Sequence, residues 1–285
     1  MTTNASHFID ESSAAELLKS IAIPPRPTLL IELGRLLQGD DPSPIKLAEV
    51  IMKDVAVSAA MLKTVNSPYF ALSNKVGNVQ QAVQILGATN VRNIVTSLVL
   101  RNTLSGTASV SLERFWDSSE KVANIASHIC SVLPRAPKNE AYTFGIFRDC
   151  GIPILMMRFP DYRETLKLAG GDDRPMPLVE DERHGTNHVV LGYLVARSWG
   201  LSKILCDAIR CHHDIDVFAS TDNVPPLAKT LVAVKYLAET LFDISRMREN
   251  PQWAHVGEET LAYLGLNYEE YEELRDDVLA LASES

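Results

Sequence analysis

Apolar residues recur at spacings of three, four and seven along almost the whole chain, and the two-residue alternation of a strand is nearly absent. Proline, glycine and helix-capping residues interrupt this pattern. Ser13 forms a capping box with Glu16, which predicts a short first helix. Ser43 followed by Pro44 is typical of a helix start, and Asp54 predicts another. The pattern therefore predicts an all-α protein.

The apolar pattern of residues 78–104 predicts a helical hairpin, in which Gly87 ends the first helix and a longer second helix follows. Two helices joined by a short turn are also the outline of a DNA-reading motif. The second helix is apolar over most of its circumference, which leaves Arg92, Asn93 and Thr96 to touch bases. This composition favours a buried structural hairpin over a DNA-contacting one.

A division into two helical lobes is predicted near the small, polar segment from Ser105 to Ser109. The chain has 285 residues, which exceeds one average domain. Residues 1–105 carry nine Lys or Arg and eight Asp or Glu, whereas the remainder carries 18 against 28. We expect an N-terminal lobe over residues 1–108 and a second lobe with an acidic last helix over residues 109–285.

The composition is that of an ordinary soluble globular protein, with 46% hydrophobic and 22% charged residues. No apolar run approaches the roughly 18 residues that span a bilayer, so we expect a cytoplasmic protein without membrane contact. The four cysteines form no C-x-x-C pair and are expected to be free, buried thiols. A net charge of −9 argues against a general nucleic-acid binder, because phosphate contacts require cations.

Four of the seven histidines lie in one stretch in the second half of the chain. His188 lies near the start of a predicted helix that ends at Gly200, and Ser202 caps the next helix, which runs to His212 and His213. One imidazole at the start of a helix and two at the end of its neighbour could meet in space. Metal sites between helices are built in this way, but an ordinary helical hairpin has the same outline.

Two groups of short sequence blocks carry a recognisable pattern. The first group consists of residues 51–54, 62–69, 82–87 and 91–92. The second group consists of Glu180, His188, Gly192, Trp199 and the pair His212–His213. In this order the blocks resemble the signature of the HDOD family, the bacterial HD-related output domains, over about residues 21–241.

The resemblance implies an all-α fold in which the second lobe is related to HD metal-dependent phosphohydrolases. It also implies a role as an output or scaffold module of bacterial signalling, with other signalling proteins as partners. Association with further copies of the chain stays open.

The resemblance also shows which positions of an HD-type metal site have changed. Such a site needs a first histidine, a His-Asp pair and a distal aspartate, and the aligned residues are Ser118, Arg148 with Asp149, and Lys235. Arg148 and Lys235 are cations that cannot ligate a metal ion and would repel it. Asp149 could instead pair with either cation, and Lys235 could extend along its helix to solvent.

The remaining candidate ligands are Asp149, His188, His212 and His213. Adjacent residues of a helix point about 100° apart, so His212 and His213 are not expected to serve the same ion. At most Asp149, His188 and His212 would then hold a divalent transition metal. We therefore expect no metal and no other cofactor.

The favoured hypothesis is a non-catalytic signalling module that acts through protein–protein contacts and keeps a vestigial pocket. The pocket residues are Ser118, Arg148, Asp149, His188, His212, His213 and Lys235. This pocket could receive an anionic or phosphate-bearing ligand. The alternatives are a metal-dependent phosphohydrolase with an atypical site and a regulator that contacts DNA through residues 78–104.

Overall fold

All regular structure in the described part of the chain is helical, as predicted. The computed structural model describes residues 23–38, 43–70, 72–106, 112–134, 136–170, 174–219 and 224–283. The first helices are α1 (Thr28–Leu36), α2 (Pro44–Met52), α3 (Val55–Val65), α4 (Val79–Leu86) and α5 (Ala88–Gly106), with a 3-10 turn at Pro68–Phe70. They are followed by α6 (Glu113–Val132), α7 (Lys138–Phe147), α8 (Gly151–Arg158), α9 (Tyr162–Ala169) and α10 (Met176–His184). The last helices are α11 (His188–Ser198), α12 (Lys203–Cys211), α13 (Pro226–Ser245), α14 (Trp253–Leu264) and α15 (Tyr268–Ser283).

Local side-chain chemistry accounts for many of the helix ends. Ser43, Asp54 and Ser202 each accept a hydrogen bond from the backbone amide three residues further on. Gly87 and Gly200 have φ values of 79° and 74°, a region in which a residue without a side chain is favoured. The predicted caps and stops at these five positions are confirmed.

Two glycines allow helices to approach closely around the histidine stretch. A Cβ atom on Gly145 would lie 2.4 Å from the Cα atom of Ala123, so α7 packs directly on α6. A Cβ atom on Gly151 would lie 2.1 Å from the carbonyl oxygen of His188. The start of α8 therefore touches the start of α11, and the break between α7 and α8 places Asp149 beside His188.

One large cluster of buried apolar side chains runs through both halves of the described chain. The Phe70 and Tyr142 rings, for example, lie 5.9 Å apart between the 3-10 turn and α7. The Trp199 indole also donates a hydrogen bond of 2.9 Å to the carbonyl oxygen of Pro24. The N-terminal helices and the histidine-bearing helices thus share a core.

The predicted division into residues 1–108 and 109–285 stays a prediction, because residues 107–111 lie outside the described part. The predicted capping box of Ser13 and Glu16 also lies outside it. The four cysteines are free and buried, as predicted. Within the described ranges, no helix combines the length and the apolar character needed to cross a membrane.

The prediction of a buried hairpin over residues 78–104 is confirmed by α4 and α5. Val95 is fully buried, and Asn93 and Thr96 are buried as well. The Thr96 hydroxyl donates to the carbonyl oxygen of Arg92 one turn earlier. Two of the three side chains that a DNA-reading helix would need are therefore inside the protein.

Replacing Val95 by Asp is expected to lower the free energy of unfolding by about 3 kcal/mol or more, because the new carboxylate has no partner in the core. Ile85→Asp is the matched control, since Ile85 in α4 is 50% exposed. Urea unfolding followed by far-ultraviolet circular dichroism measures both variants. Equal losses in the two variants would contradict the buried hairpin.

Candidate metal centre

Four side chains bring metal-binding donor atoms to one point. Oδ1 of Asp149 lies 3.4 Å from Nε2 of His212 and 3.6 Å from Nε2 of His188. Nε2 of His188 lies 3.0 Å from Nε2 of His213, and all four donor atoms are within 4.8 Å of one another. Tetrahedral ligands at zinc bond lengths lie about 3.4 Å apart. The spacing of these donors therefore suits a single ion.

The donors come from three places in the fold. Asp149 lies in the break between α7 and α8, and His188 is the first residue of α11. His212 follows the last residue of α12, and His213 lies in the turn after it. The expectation that His212 and His213 can hardly serve one ion does not agree with this geometry, because one ring nitrogen of each imidazole lies in the same group of four donors.

Hydrogen bonds at the other ring nitrogen orient two of the imidazoles. Nδ1 of His212 lies 2.7 Å from the carbonyl oxygen of Ile209, which can only accept a proton. Nε2 of His212 is therefore the lone-pair nitrogen, and it is buried without a hydrogen-bond partner in the described structure. Nδ1 of His188 lies 2.6 Å from Oε2 of Glu180, which turns Nε2 toward the centre. A carbonyl or carboxylate on the second nitrogen is typical of metal-binding histidine.

Glu180 is fully buried, and its carboxylate accepts three hydrogen bonds. The donors are the His188 imidazole, the His188 backbone amide at 3.0 Å and the Tyr162 hydroxyl. Burial lowers the pKa of His188, but the Glu180 charge outweighs this effect and raises the pKa overall. The resemblance named Glu180 without a role, and the structure places it directly behind His188.

Electrostatics keep the other donors in the protonation states that a metal requires. Burial lowers the pKa of His212, and burial together with the positive charge of neighbouring groups lowers the pKa of His213 further. Both imidazoles are therefore neutral at neutral pH. Burial would raise the pKa of Asp149, but the Arg148 guanidinium and the imidazoles outweigh it and hold this pKa well below its usual value.

An ion network lies beside the four donors, and sequence reasoning missed one of its members, Glu239. Nε of Arg148 lies 3.2 Å from Oδ2 of Asp149 and 2.9 Å from Oε1 of Glu239. Nζ of Lys235 lies 3.0 Å from Oε2 of Glu239 and donates to the carbonyl oxygen of His212. Glu239 thus joins both cations. Its spacing of four residues from Lys235 on one helix is the signal that could have revealed it.

This network decides between the alternatives left open for the two cations. Lys235 is 2% exposed, so the prediction that its side chain extends to solvent is wrong. Its ammonium group forms an internal ion pair with Glu239. Asp149 pairs with Arg148. Ser118 is half-buried on α6 and takes no part in the ion pairs and hydrogen bonds described above.

Tyr162→Phe is expected to lower the free energy of unfolding by about 1–3 kcal/mol, because it removes a donor from the buried Glu180 carboxylate. Tyr193→Phe, at a half-buried position of α11, is the control and should change stability little. Urea unfolding of both variants is the measurement. A Tyr162 variant as stable as the control would show that this hydrogen bond contributes little.

Glu239→Gln is expected to cost about 3–5 kcal/mol, because it leaves two buried cations short of a counter-charge. Glu258→Gln, on the exposed surface of α14, provides the comparison. The same unfolding measurement applies. Equally small losses of stability in both variants would show that Glu239 does not balance two buried cations in solution.

The described fold and site agree with one protein family. The model of the HDOD domain matches residues 23–215, which is more than half of the chain. A protein of Treponema pallidum (strain Nichols), described as an uncharacterized protein, is 22% identical over 212 residues. That match covers 72% of this chain and 41% of the relative, so the chain spans about two fifths of the relative's length.

Two solved structures share the fold over nearly their whole length. An HDOD domain protein of unknown function from Geobacter sulfurreducens is 21% identical, with a TM-score of 0.68 over 95% of each chain. A protein named "Putative phosphohydrolase" from Shewanella amazonensis SB2B is 20% identical, with a TM-score of 0.70 over 95% of this chain and 97% of that one. Because the family model covers the histidine centre and most of the helices around it, the chain belongs to the HDOD domain family.

Proposed function

We propose that this HDOD domain is a bacterial signalling module whose HD-type site binds one divalent transition metal ion and acts through binding, not hydrolysis. The observation that carries the proposal is the contrast between two neighbouring groups of side chains. Four metal-binding donors converge within 4.8 Å, while the adjoining space holds two cations joined by a carboxylate.

The donor set fits a metal ion. Asp149, His188, His212 and His213 would hold it, and imidazole with carboxylate suits zinc, iron, nickel or manganese. Nε2 of His212 is buried without a well-formed hydrogen bond among the described residues and lies 3.4 Å from Oδ1 of Asp149, which is the arrangement of two ligand atoms of one ion. A bound ion at this point would supply Lewis acidity and lower the pKa of a coordinated water. The sequence led us to expect no metal, and this geometry favours one.

Two physical arguments favour binding over hydrolysis. Four protein ligands complete the coordination of a tetrahedral ion, as in structural sites, whereas catalytic sites keep a position open for water. A second metal ion would need donors where Arg148, Lys235 and Glu239 already pair, and the two cations would repel it. The metal ion would then stabilise the conformation of the module, and the signalling role would depend on that conformation.

Contacts with other signalling proteins remain the proposed output. Apolar side chains on the first helices support this role, because they face solvent and not the core. Ile45 in α2 is 53% exposed, and Val55 in α3 is 79% exposed. Contact with DNA through residues 78–104 is not proposed, since Asn93 and Thr96 are buried.

A metal-dependent phosphohydrolase with an atypical mononuclear site is the second candidate. It is supported by the Asp149 side chain, which is 19% exposed and so connects the centre with solvent. An ion with six-fold coordination would also leave two positions free beside four protein ligands. The two candidates differ in turnover and not in metal content.

Metal content is the first test. Protein purified without chelator and then dialysed against Zn²⁺ or Mn²⁺ is expected to retain one equivalent by elemental analysis. His188→Ala and His213→Ala should each lose most of this metal, because each removes one of the four donors. His255→Ala is the control, as His255 is exposed on α14. Absence of stoichiometric metal in every preparation would overturn the metal part of the proposal.

Hydrolysis is the second test. The metal-loaded protein is incubated with bis(p-nitrophenyl) phosphate, a generic phosphodiester, and no turnover above that of His188→Ala is expected. Metal-dependent turnover that disappears in His188→Ala would favour the phosphohydrolase and contradict a module that acts only through binding.

A further inference from the structure

A proline-rich segment lies against the closed end of the hairpin that α11 and α12 form. This segment, residues 23–27, reads Ile-Pro-Pro-Arg-Pro and leads directly into α1, and we call it the strap. Pro27 has φ −62° and ψ 147°, which is the polyproline II conformation. Because three of the five residues are prolines with fixed φ, the strap loses little conformational freedom when it is held in one place.

Two contacts fasten the strap to α11. The Trp199 indole, which is 1% exposed and follows the last residue of α11, donates a hydrogen bond of 2.9 Å to the carbonyl oxygen of Pro24. Ile23 packs against Val190 and Leu194, two buried residues of the same helix. Docking of a polyproline segment on an aromatic side chain is a recurring mode of peptide recognition. The strap is therefore bound to α11 as a peptide ligand would be.

The Arg26 side chain fixes the strap at the turn between the two helices. Nη2 of Arg26 donates to the carbonyl oxygen of Leu30 in α1 at 2.9 Å. A Cβ atom on Gly34 would lie 3.0 Å from this Nη2, and a Cβ atom on Gly200 would lie 3.1 Å from Nη1. The guanidinium group therefore fits closely between α1 and the turn that joins α11 to α12.

The open end of the same hairpin carries three of the four donors. His188 is the first residue of α11, and His212 and His213 follow the last residue of α12. Between the two ends the helices pack closely, since a Cβ atom on Gly192 would lie 3.4 Å from Cγ2 of Ile209. Because close packing fixes the helices against each other, the angle set at the closed end also sets the distance between the donors at the open end.

We propose that the strap is a latch that holds the α11–α12 hairpin at the angle that the metal centre needs and so couples metal binding to the N-terminal helices. This inference rests on the proposed metal-binding function and adds its regulation. A metal ion would close the hairpin at its open end while the strap holds the closed end. Each would strengthen the other, because the effect of one site on the affinity of another is reciprocal. Since the strap continues into α1, the N-terminal helices would respond to occupancy of the metal centre.

The zinc affinity of the full chain, measured by competition with a chromophoric chelator, tests the coupling. Trp199→Phe keeps an aromatic ring and loses the indole N–H, and it is expected to bind Zn²⁺ at least fivefold more weakly than the unchanged chain. Trp116→Phe is the matched control and should keep its affinity, because Trp116 is equally buried and its indole nitrogen has no hydrogen-bond partner among the described residues. Equal affinities in the two variants would overturn the latch. Absence of zinc binding in the unchanged chain would instead overturn the proposed function, and the latch with it.

A change in the strap itself replaces Trp199→Phe if that variant does not fold. Ile23→Ser removes the apolar contact with α11 from a half-buried position. Ile31→Ser is the control, as Ile31 on α1 is 38% exposed. Weaker zinc binding is expected in Ile23→Ser alone. An affinity that is unchanged in Ile23→Ser, or lowered equally in both variants, would contradict the latch.

Hydrogen exchange of the Trp199 indole tests the coupling in the opposite direction. Its NMR signal is identified as the indole signal that Trp199→Phe lacks. Addition of Zn²⁺ should slow its exchange severalfold more than that of the Trp116 indole, which reports unfolding of the whole chain. Equal slowing of the two indoles would show that the strap is fixed independently of the metal and would overturn the latch. Exchange as fast as that of a free indole, with and without zinc, would show that the hydrogen bond to Pro24 is not formed and would overturn it as well.

Discussion

The contact between Gly151 and the backbone of His188 is the constraint on which the site depends. Because a single methyl group at Gly151 would collide with the His188 carbonyl oxygen, only glycine lets α8 start so close to α11. This approach brings the Asp149 carboxylate, two residues earlier, within 3.6 Å of the His188 imidazole. A wider separation would leave the carboxylate and the histidines as unrelated buried polar groups, each with a desolvation cost.

Charge balance shapes the rest of the centre. Asp149 uses one oxygen toward the imidazoles of His188 and His212 and the other toward Arg148. Glu239 then neutralises the remaining charge of Arg148 and that of Lys235. Asp149 and Glu239 together carry as many negative charges as Arg148 and Lys235 carry positive ones, so the buried cations are compatible with one neighbouring metal ion. The same pairing occupies the side chains that a second ion would need as ligands, and the proposed binding role rests on this.

One helix, α11, reaches from the histidine centre to the N-terminal segment. α11 begins with His188 at the metal centre, and the glycine just beyond its last turn, Gly200, touches the Arg26 guanidinium. Trp199, which follows the last residue of this helix, also donates a hydrogen bond to the carbonyl oxygen of Pro24. The helix therefore connects the histidine centre with the N-terminal segment. Leu191, Val195 and Trp199 are buried in the common core, where close packing holds the helix in place.

The sequence by itself determined the features that depend on neighbouring residues. The all-α fold, the caps at Ser43 and Ser202 and the burial of the hairpin around Val95 follow from local periodicity and local hydrogen bonds, so they could be predicted. The family pattern also identified Asp149 and the histidines. Only the tertiary structure decided that His213 joins the others, because its ring nitrogen meets that of His188, 25 positions earlier, through the packing of α11 against α12. It alone revealed the contact of Arg148 with Glu239, 91 positions apart, since pairing at such a distance depends on how helices pack and leaves no periodic trace in the chain.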